Sequence, residues 1–553
     1  MSVKKDIYAK KSLEQIPRLL GNLDRNPYSP TYGCFHRDYW LDKTSDFADA
    51  VRQFGSQSLA LVYTNKFPDN MFYKNEKIKN WAIASILFWA KIQHKDGSFD
   101  EFYPNERGWV GPTAFTTFTT IESFSLLEKY IDDKDKVKIL DAIKKAAYFI
   151  IEGDSEEDHL ANHHAMACLA VWKAYMLFNE EDLLVGYNKS WNTFKTYHNY
   201  DEGWSREYDG VDPGYLSATV SFLGKIYQTK KDDEILEVVK QSIEFSSLFV
   251  YPNGFYAGSM GSRNTLHFYS HGYEIFAKDI PIAGAIAENM LVALDEDKLV
   301  PPSIISDRYV FYRVPEYLQS YLDYSRKEEL GSINLPYQEK KINKYYQKSK
   351  IYINKFNNYY IISNLAKGGV IKIFDVNLKK LIENNCGVIG ELSNGDIITS
   401  QWVDPSYKIE LNDTGWVVSG RLNVVPSNKL FTLPKNLIFR SVLLFFAWSS
   451  KFSHFLKGKI RKALILGQRN TNIYFKRRFY LSSKILISDE IKIEGKEKIT
   501  KLSYGGEFFI RYVPQSRYFQ SQELYINEEN LTSKELSQLN DKKFYTKEKI
   551  ISI

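Results

Sequence analysis

The sequence predicts two consecutive domains, a helical one followed by an antiparallel β one, and three observations carry the prediction. At 553 residues the chain exceeds what one hydrophobic core usually serves. Up to about residue 327 its apolar residues recur at helical spacing, and from about residue 350 they fall in short, β-branched, alternating runs. Helices that precede the strands, instead of alternating with them, build separate layers and not a wound α/β sheet. The expected division is a helical domain over 1–327, a polar linker over 328–349 and a β domain over 350–553.

The helical segments come first. Residues 81–92, 116–130, 137–151, 165–178, 218–228 and 235–250 each place apolar side chains three and four apart. Gly97, Gly153, Gly203 and Gly254 close such segments at intervals of about 50 residues, room for two helices and their loops. Each unit reads as a helical hairpin, with glycine supplying the left-handed cap. Five or six hairpins fit before residue 327. Stacked hairpins make an open solenoid or a closed ring, and the period alone does not choose. The strands follow, over 351–354, 359–362, 369–374 and 485–493, separated by Asn, Gly and Asp turns.

One stretch fits neither texture. Residues 441–448 are apolar and are followed by Lys451, Lys457, Lys459, Arg461 and Lys462. The run falls short of the roughly 20 apolar residues of a spanning helix. It reads either as a peripheral membrane contact over 441–462 or as a buried strand followed by a solvated basic helix.

Composition narrows the function classes. Aromatic residues reach 15%, with 39 Tyr, 35 Phe and 10 Trp, and Tyr and Trp offer flat faces on which sugars stack. Tyr103, Trp109, Trp204 and Tyr269 are candidate sugar contacts, with His164 and Arg206 as polar ones. The net charge of +6 permits a polyanionic partner without demanding one. No nucleic-acid module, nucleotide-binding loop, nucleophile elbow or zinc-protease helix occurs, so neither nucleic acid nor a nucleotide cofactor is expected. Cys34, Cys168 and Cys386 lie far apart without metal spacing, which points to a reducing compartment. Lysines stand where a secretory signal needs an apolar core. The expected location is therefore cytoplasmic, with periplasmic placement or export by another route as the alternative.

The residue types that catalysis needs fall just after the recurring glycines. Asn162, His163 and His164 follow Gly153, Tyr215 follows Gly203, and Arg263, His267 and His271 follow Gly254. Similar offsets in successive hairpins put these groups at one end of the assembly, near helix N-termini that favour anions. His159 and His198 lie in the same stretch. Such a set suits proton abstraction beside a carboxylate. Asn, Arg and protonated His stabilise the enediolate that forms when C5 of a uronic acid loses its proton, and tuned Tyr or His serve as base and acid. Plainer alternatives stand beside each: Asn162 as a helix cap, Tyr215 in the core, Arg263 paired with Glu274, His271 at a helix end. Asp96, Asp100 and Glu101 would offer a glycosidase its carboxylates, but their loop reads as turn chemistry and an acidic pair would repel an acidic substrate.

Asn162-His163-His164 at a helix start, the Gly214-Tyr215 loop and the segment Gly261-Ser262-Arg263…His267…His271-Gly272 resemble the heparinase II/III-type and alginate lyase-like polysaccharide lyases. The stretches 32–40 and 97–104 resemble segments of the same proteins. The resemblance covers nearly the whole chain and implies an incomplete α/α toroid of five or six hairpins followed by an antiparallel β-sandwich. It implies β-elimination on an acidic, uronate-containing poly- or oligosaccharide. Under it, Asn162 and Arg263 neutralise the carboxylate with His163 assisting. Tyr215 is the acid and a candidate base, and His267 or His271 is a second base or orienting group. No cofactor is implied, and a structural divalent metal in the β domain stays open because some members carry one. The family is typically exported, from which this N-terminus departs. Two other readings remain: a uronyl C5-epimerase, which starts with the same proton abstraction, and a non-catalytic glycan-binding or surface-polysaccharide assembly protein on the same fold.

Overall fold

Short helices α1 (Asp6–Leu13), α2 (Ile16–Asn22) and α3 (Arg37–Trp40) lead into a series of hairpins. In the computed structural model, which describes residues 5–105, 109–153, 160–325, 333–425, 432–461, 469–506, 518–525 and 528–552, each hairpin pairs an inner with an outer helix. The pairs are α4 (Gly55–Thr64) with α5 (Glu76–Ile92), α6 (Val110–Leu127) with α7 (Asp133–Gly153), and α8 (Ala161–Phe178) with α9 (Glu181–Lys195). They continue with α10 (Pro213–Tyr227) and α11 (Asp233–Ser246), then α12 (His271–Phe276) and α13 (Pro281–Asp295). Last comes α14 (Val310–Leu322), covered by α1.

Patterning decides which helix lies inside. α6, α8 and α10 are buried on nearly every face, whereas α7 buries a single stripe of Ile139, Ala142, Ile143, Ala146 and Ile150 beneath charged residues. The six inner helices pack side by side, and α14 returns to α4, closing the ring. Its α12 sector is thin, a helix of only six residues. The glycine period is a packing device. Gly97 and Gly203 have φ of +92° and +82°, and a Cβ on either would collide with the carbonyl of Lys145 or Gln241 on the next hairpin's outer helix.

Beyond the ring, five strands form an antiparallel sheet in sequence order: Ile342–Tyr346, Ile351–Phe356, Tyr359–Asn364, Val370–Asp375 and Lys380–Asn385. Ile351, Ile353, Tyr360, Ile362, Val370 and Phe374 enter the core shared with the ring. The alternate residues Tyr352, Ile361, Ile371 and Ile373 face a nine-stranded antiparallel sheet. The central sheet is thus covered on both sides. Its first strand starts at Ile342, inside the stretch expected as linker, of which residues 328–332 lie outside the described residues. Tyr360 donates to the Leu248 carbonyl (2.6 Å), Asn364 to that of Met260 (2.7 Å) and Lys367 to that of Gly261 (2.7 Å).

Two neighbouring strands of the large sheet, Gly415–Val424 and Asn470–Leu481, are joined through helices α15 (Leu433–Phe446) and α16 (Ser450–Arg461). The strand reading of the apolar run is corrected here: 441–446 is the second half of α15. Leucine and phenylalanine dominate it, with few β-branched residues, and Pro434 sits in its first turn. Lys462 lies outside the described residues. Cys34, Cys168 and Cys386 are buried free thiols. No helix among the described residues is long and apolar enough to cross a membrane.

Candidate active site

α6, α8 and α10 each come after an outer helix in the chain, so their N-termini open at one end of the ring. Asn162 lies in the first turn of α8, where backbone N–H groups lack helical acceptors. Glu207 supplies one. It accepts from the Asn162 backbone N–H and from its side-chain amide, both at 2.7 Å. Glu207 ends β2 (Trp204–Glu207), which with β1 (His198–Asn199) and β3 (Gly210–Val211) forms a small sheet bridged to α8 through Leu160. Burial pushes the Glu207 carboxyl up to about 8, outweighing the hydrogen bonds from Asn162. At neutral pH it keeps its proton.

Asp212 caps α10 and accepts the backbone N–H of Tyr215 (3.3 Å) and of Arg263 (3.1 Å), together with the Thr265 hydroxyl (3.1 Å). One buried carboxyl therefore fixes the start of α10 against the loop 255–270. The Tyr215 phenol, partly exposed, is pushed well above its ordinary value of 10.0 by burial and then by Tyr208, Asp212 and Glu207 nearby. Arg263 is 0% exposed. Its guanidinium lies 4.0 Å from the Tyr208 ring centre and donates to Ser262 O (3.2 Å) and Asp209 (3.4 Å). Its Nε and Nη2 have no hydrogen-bond partner among the described residues. Tyr208 sits in the two-residue loop between β2 and β3 at φ +59°, a conformation bulky side chains seldom adopt. A strained aromatic is thus clamped over a buried cation.

His163 completes the wall. Its ring stacks on Trp109 (5.7 Å between centres) and meets Phe115 edge-on, and Trp109 stacks in turn on Phe102 (5.6 Å). Gly111 makes the approach possible, since a Cβ there would press on the imidazole at 2.9 Å.

Residues 67–272 match the family model of the ulvan lyase N-terminal domain. That span holds Asn162, His163, Tyr215, Arg263, His267 and His271. No curated protein matches the chain. Among solved structures, the chondroitin AC lyase of Streptomyces coelicolor A3 in complex with chondroitin sulphate superposes with a TM-score of 0.52 at 8% identity, over 90% of this chain and 67% of that one. A heparinase III aligns at 11% identity over 90% of this chain and 71% of its own, with a TM-score of 0.42. An unsaturated glucuronyl hydrolase from Streptococcus agalactiae aligns at 12% identity over 59% and 93%, at 0.39. The first superposition establishes the fold as that of a helical toroid followed by antiparallel β-sheets.

Within the matched span the structure gathers Asn162, His163, Tyr215 and Arg263, with Trp109 and Tyr269, at the open end of the ring. Tyr269 is buried, its ring 4.0 Å from the Arg313 guanidinium. The expected carboxylate clamp is engaged internally: Asn162 holds Glu207 and Arg263 lies under Tyr208. Arg263 pairs with Asp209, not with Glu274, which accepts the Tyr8 hydroxyl (2.8 Å). His267 is 2% exposed and packs on Tyr518 (5.5 Å).

His271 sits elsewhere. The loop 255–270 replaces the first turns of the inner helix, so α12 starts level with Ser221. There His271 bonds Lys225 and Asp323 (2.6 Å), and its N–H reaches Glu316 (3.0 Å). Lys225 is ten residues beyond Tyr215 on α10, about 15 Å along its axis. His164 stacks on Tyr197 (4.6 Å), and Arg206 lies over the same ring (4.9 Å). Trp204 donates to Glu202 (2.9 Å), which also accepts the Ser349 N–H (2.8 Å). Tyr103 meets Phe439 of α15 (5.5 Å) at the rim. Asp96 bonds Ser98, Asp100 pairs with His94 (2.8 Å) and Glu101 with Arg308 (3.0 Å). His159 lies outside the described residues. No group of His, Cys, Asp or Glu among the described residues is arranged to hold a metal.

Glu207, Asp212 and Tyr208 were not singled out by sequence reasoning. Asp212-Pro213 before an apolar helical run is a cap signature and could have been found. Glu207 meets Asn162 across 45 residues, and no local pattern announces that.

Proposed function

We propose that this protein is a polysaccharide lyase that cleaves a uronate-containing acidic glycan by β-elimination at the open end of the ring. The observation that carries the reading is the protonated Tyr215 phenol beside a buried arginine, within a domain that matches ulvan lyase. A phenol held well above 10.0 is a proton donor and not a resting base. It donates to the glycosidic oxygen as the C4–O bond breaks. His163 takes the C5 proton, since His267 and His271 are 2% and 1% exposed and His163 is the imidazole of the three that a substrate reaches. The electrons of the C5–H bond form the C4–C5 double bond. The second N–H of the Asn162 amide and the field of Arg263 offset the charge that develops on the substrate carboxylate. Trp109 and Phe102 offer a stacked aromatic wall to the sugar.

The test is product analysis after incubation with a panel of acidic polysaccharides. The expected product has an unsaturated uronate at its non-reducing end, one water lighter than a hydrolysis product. A saturated, hydrated product would contradict elimination, and solvent deuterium at C5 without chain cleavage would assign epimerisation.

A further inference from the structure

The hairpin α15–α16 is inserted between two strands of the large sheet. α15 turns Leu443 and Ala447, one turn apart, inward, and Phe439 meets Tyr103. Its other side is where a solvated helix carries polar residues. Here that side holds Leu437, Ile438, Leu444, Phe445 and Trp448, between 57% and 70% exposed. At 3.6 residues per turn the four of these within α15 fall within one arc of roughly 120°. On α16, Phe455 is exposed as well. Between 432 and 461 the sequence contains no Asp or Glu, and Lys435, Lys451 and Lys459 are exposed.

Charge selects the occupant of this face. An anionic lipid surface offers acyl chains to the leucines and aromatics and phosphate groups to the lysines. An acidic glycan would match the lysines and bury none of the aliphatic side chains. A second copy would bury the apolar arc and set lysine against lysine. The fourteen residues of α15 span about 21 Å, short of the roughly 30 Å hydrocarbon layer, so the helix lies in the membrane plane.

We propose that α15 and α16 dock this protein on an anionic membrane surface, with Leu437, Leu444, Phe445 and Trp448 inserted among the acyl chains. The hairpin is braced against the open end of the ring. Arg440 pairs with Asp46 (3.3 Å) and Ser453 donates to the Asn105 carbonyl (3.4 Å), both in loops that precede inner helices. Docking therefore sets the cleft end beside the bilayer. The inference does not depend on the reaction catalysed there.

The experiment sediments the full-length protein with vesicles of phosphatidylcholine alone and of phosphatidylcholine with about one-third phosphatidylglycerol. The expected result is pelleting with the anionic vesicles that weakens as salt rises. Phe445→Asp/Trp448→Asp lowers vesicle affinity by at least about tenfold, and Lys435→Glu/Lys451→Glu lowers it for anionic vesicles above all. Both sets of positions are exposed, so circular dichroism and Tm should not change. Failure to pellet with either vesicle, or pelleting undiminished in the apolar variant, would overturn the proposal. So would a lipid-free dimer in sedimentation velocity that the apolar variant dissociates, or hairpin-dependent retention on an acidic glycan without vesicle binding.

Discussion

Tyr215 and Glu207 lie near one another and share the same direction of shift: desolvation holds both in the protonated form. For Tyr215 this leaves the proton where an elimination needs it, on the acid. Removing only the hydroxyl, as in Tyr215→Phe, should lower turnover by roughly a thousandfold while keeping glycan affinity within a few fold. For Glu207 the consequence is a pH-dependent stability. Its folded value of about 8 lies above the ordinary 4.5, so the folded state binds the proton more tightly. The corresponding stability is fully present below about 4.5 and is lost as pH rises through about 8. Glu207→Gln should abolish that loss, so that wild type falls by roughly 3–5 kcal/mol relative to the variant across this window. Thermal unfolding at a series of pH values measures it, and parallel curves for the two proteins would contradict it.

At the scale of the element, the hairpins were legible because their signals are local. Of the glycines at a period near 50, Gly97 and Gly203 sit in loops whose positive φ and tight carbonyl contact admit no side chain, whereas Gly153, expected as a left-handed cap, is the last residue of α7 and has no positive φ. Gly203→Ala should destabilise by about 1–3 kcal/mol, whereas Gly21→Ala, with open space around it, should be neutral or slightly stabilising in thermal melts. Asn162, Tyr215 and Arg263 were legible as members of one ring end for the same reason. What escaped depends on distant partners. The placement of His271 turns on the loop 255–270, which delays α12 by two turns and delivers the imidazole to Lys225 and Asp323. Nothing in its own neighbourhood of sequence records that. His271→Gln should therefore lower Tm and leave the chemical step within a few fold of wild type, and His163→Gln should do the reverse. Of the two readings of 441–448, the buried strand failed because a short apolar run has no period of its own.

At the scale of the molecule, ring and sandwich share one hydrophobic core. Ile351, Ile353, Tyr360 and Val370 belong to the same core as the inner helices, and Lys367 and Asn364 hold the loop that carries Arg263. The β domain thereby positions the Arg263 loop from behind. A chain truncated at residue 325 should aggregate, with dye-accessible apolar surface, since the Leu248–Tyr251 face loses its cover. A soluble, native-like monomer would contradict this. The sequence pattern predicts two domains, but the shared core arises from alternation on both faces of a central sheet, which reads in sequence only as unusually continuous apolar strands.

The central claim is that β-elimination occurs at the open end of the ring with Tyr215 as its acid. The most direct test follows the ultraviolet absorbance of the unsaturated uronate while wild type and Tyr215→Phe act side by side on acidic glycans that both bind. The account predicts a steady rise with wild type and next to none with Tyr215→Phe. An equal rise with the two proteins would remove Tyr215 from the chemistry, and a flat trace for wild type on every glycan it binds would contradict elimination itself.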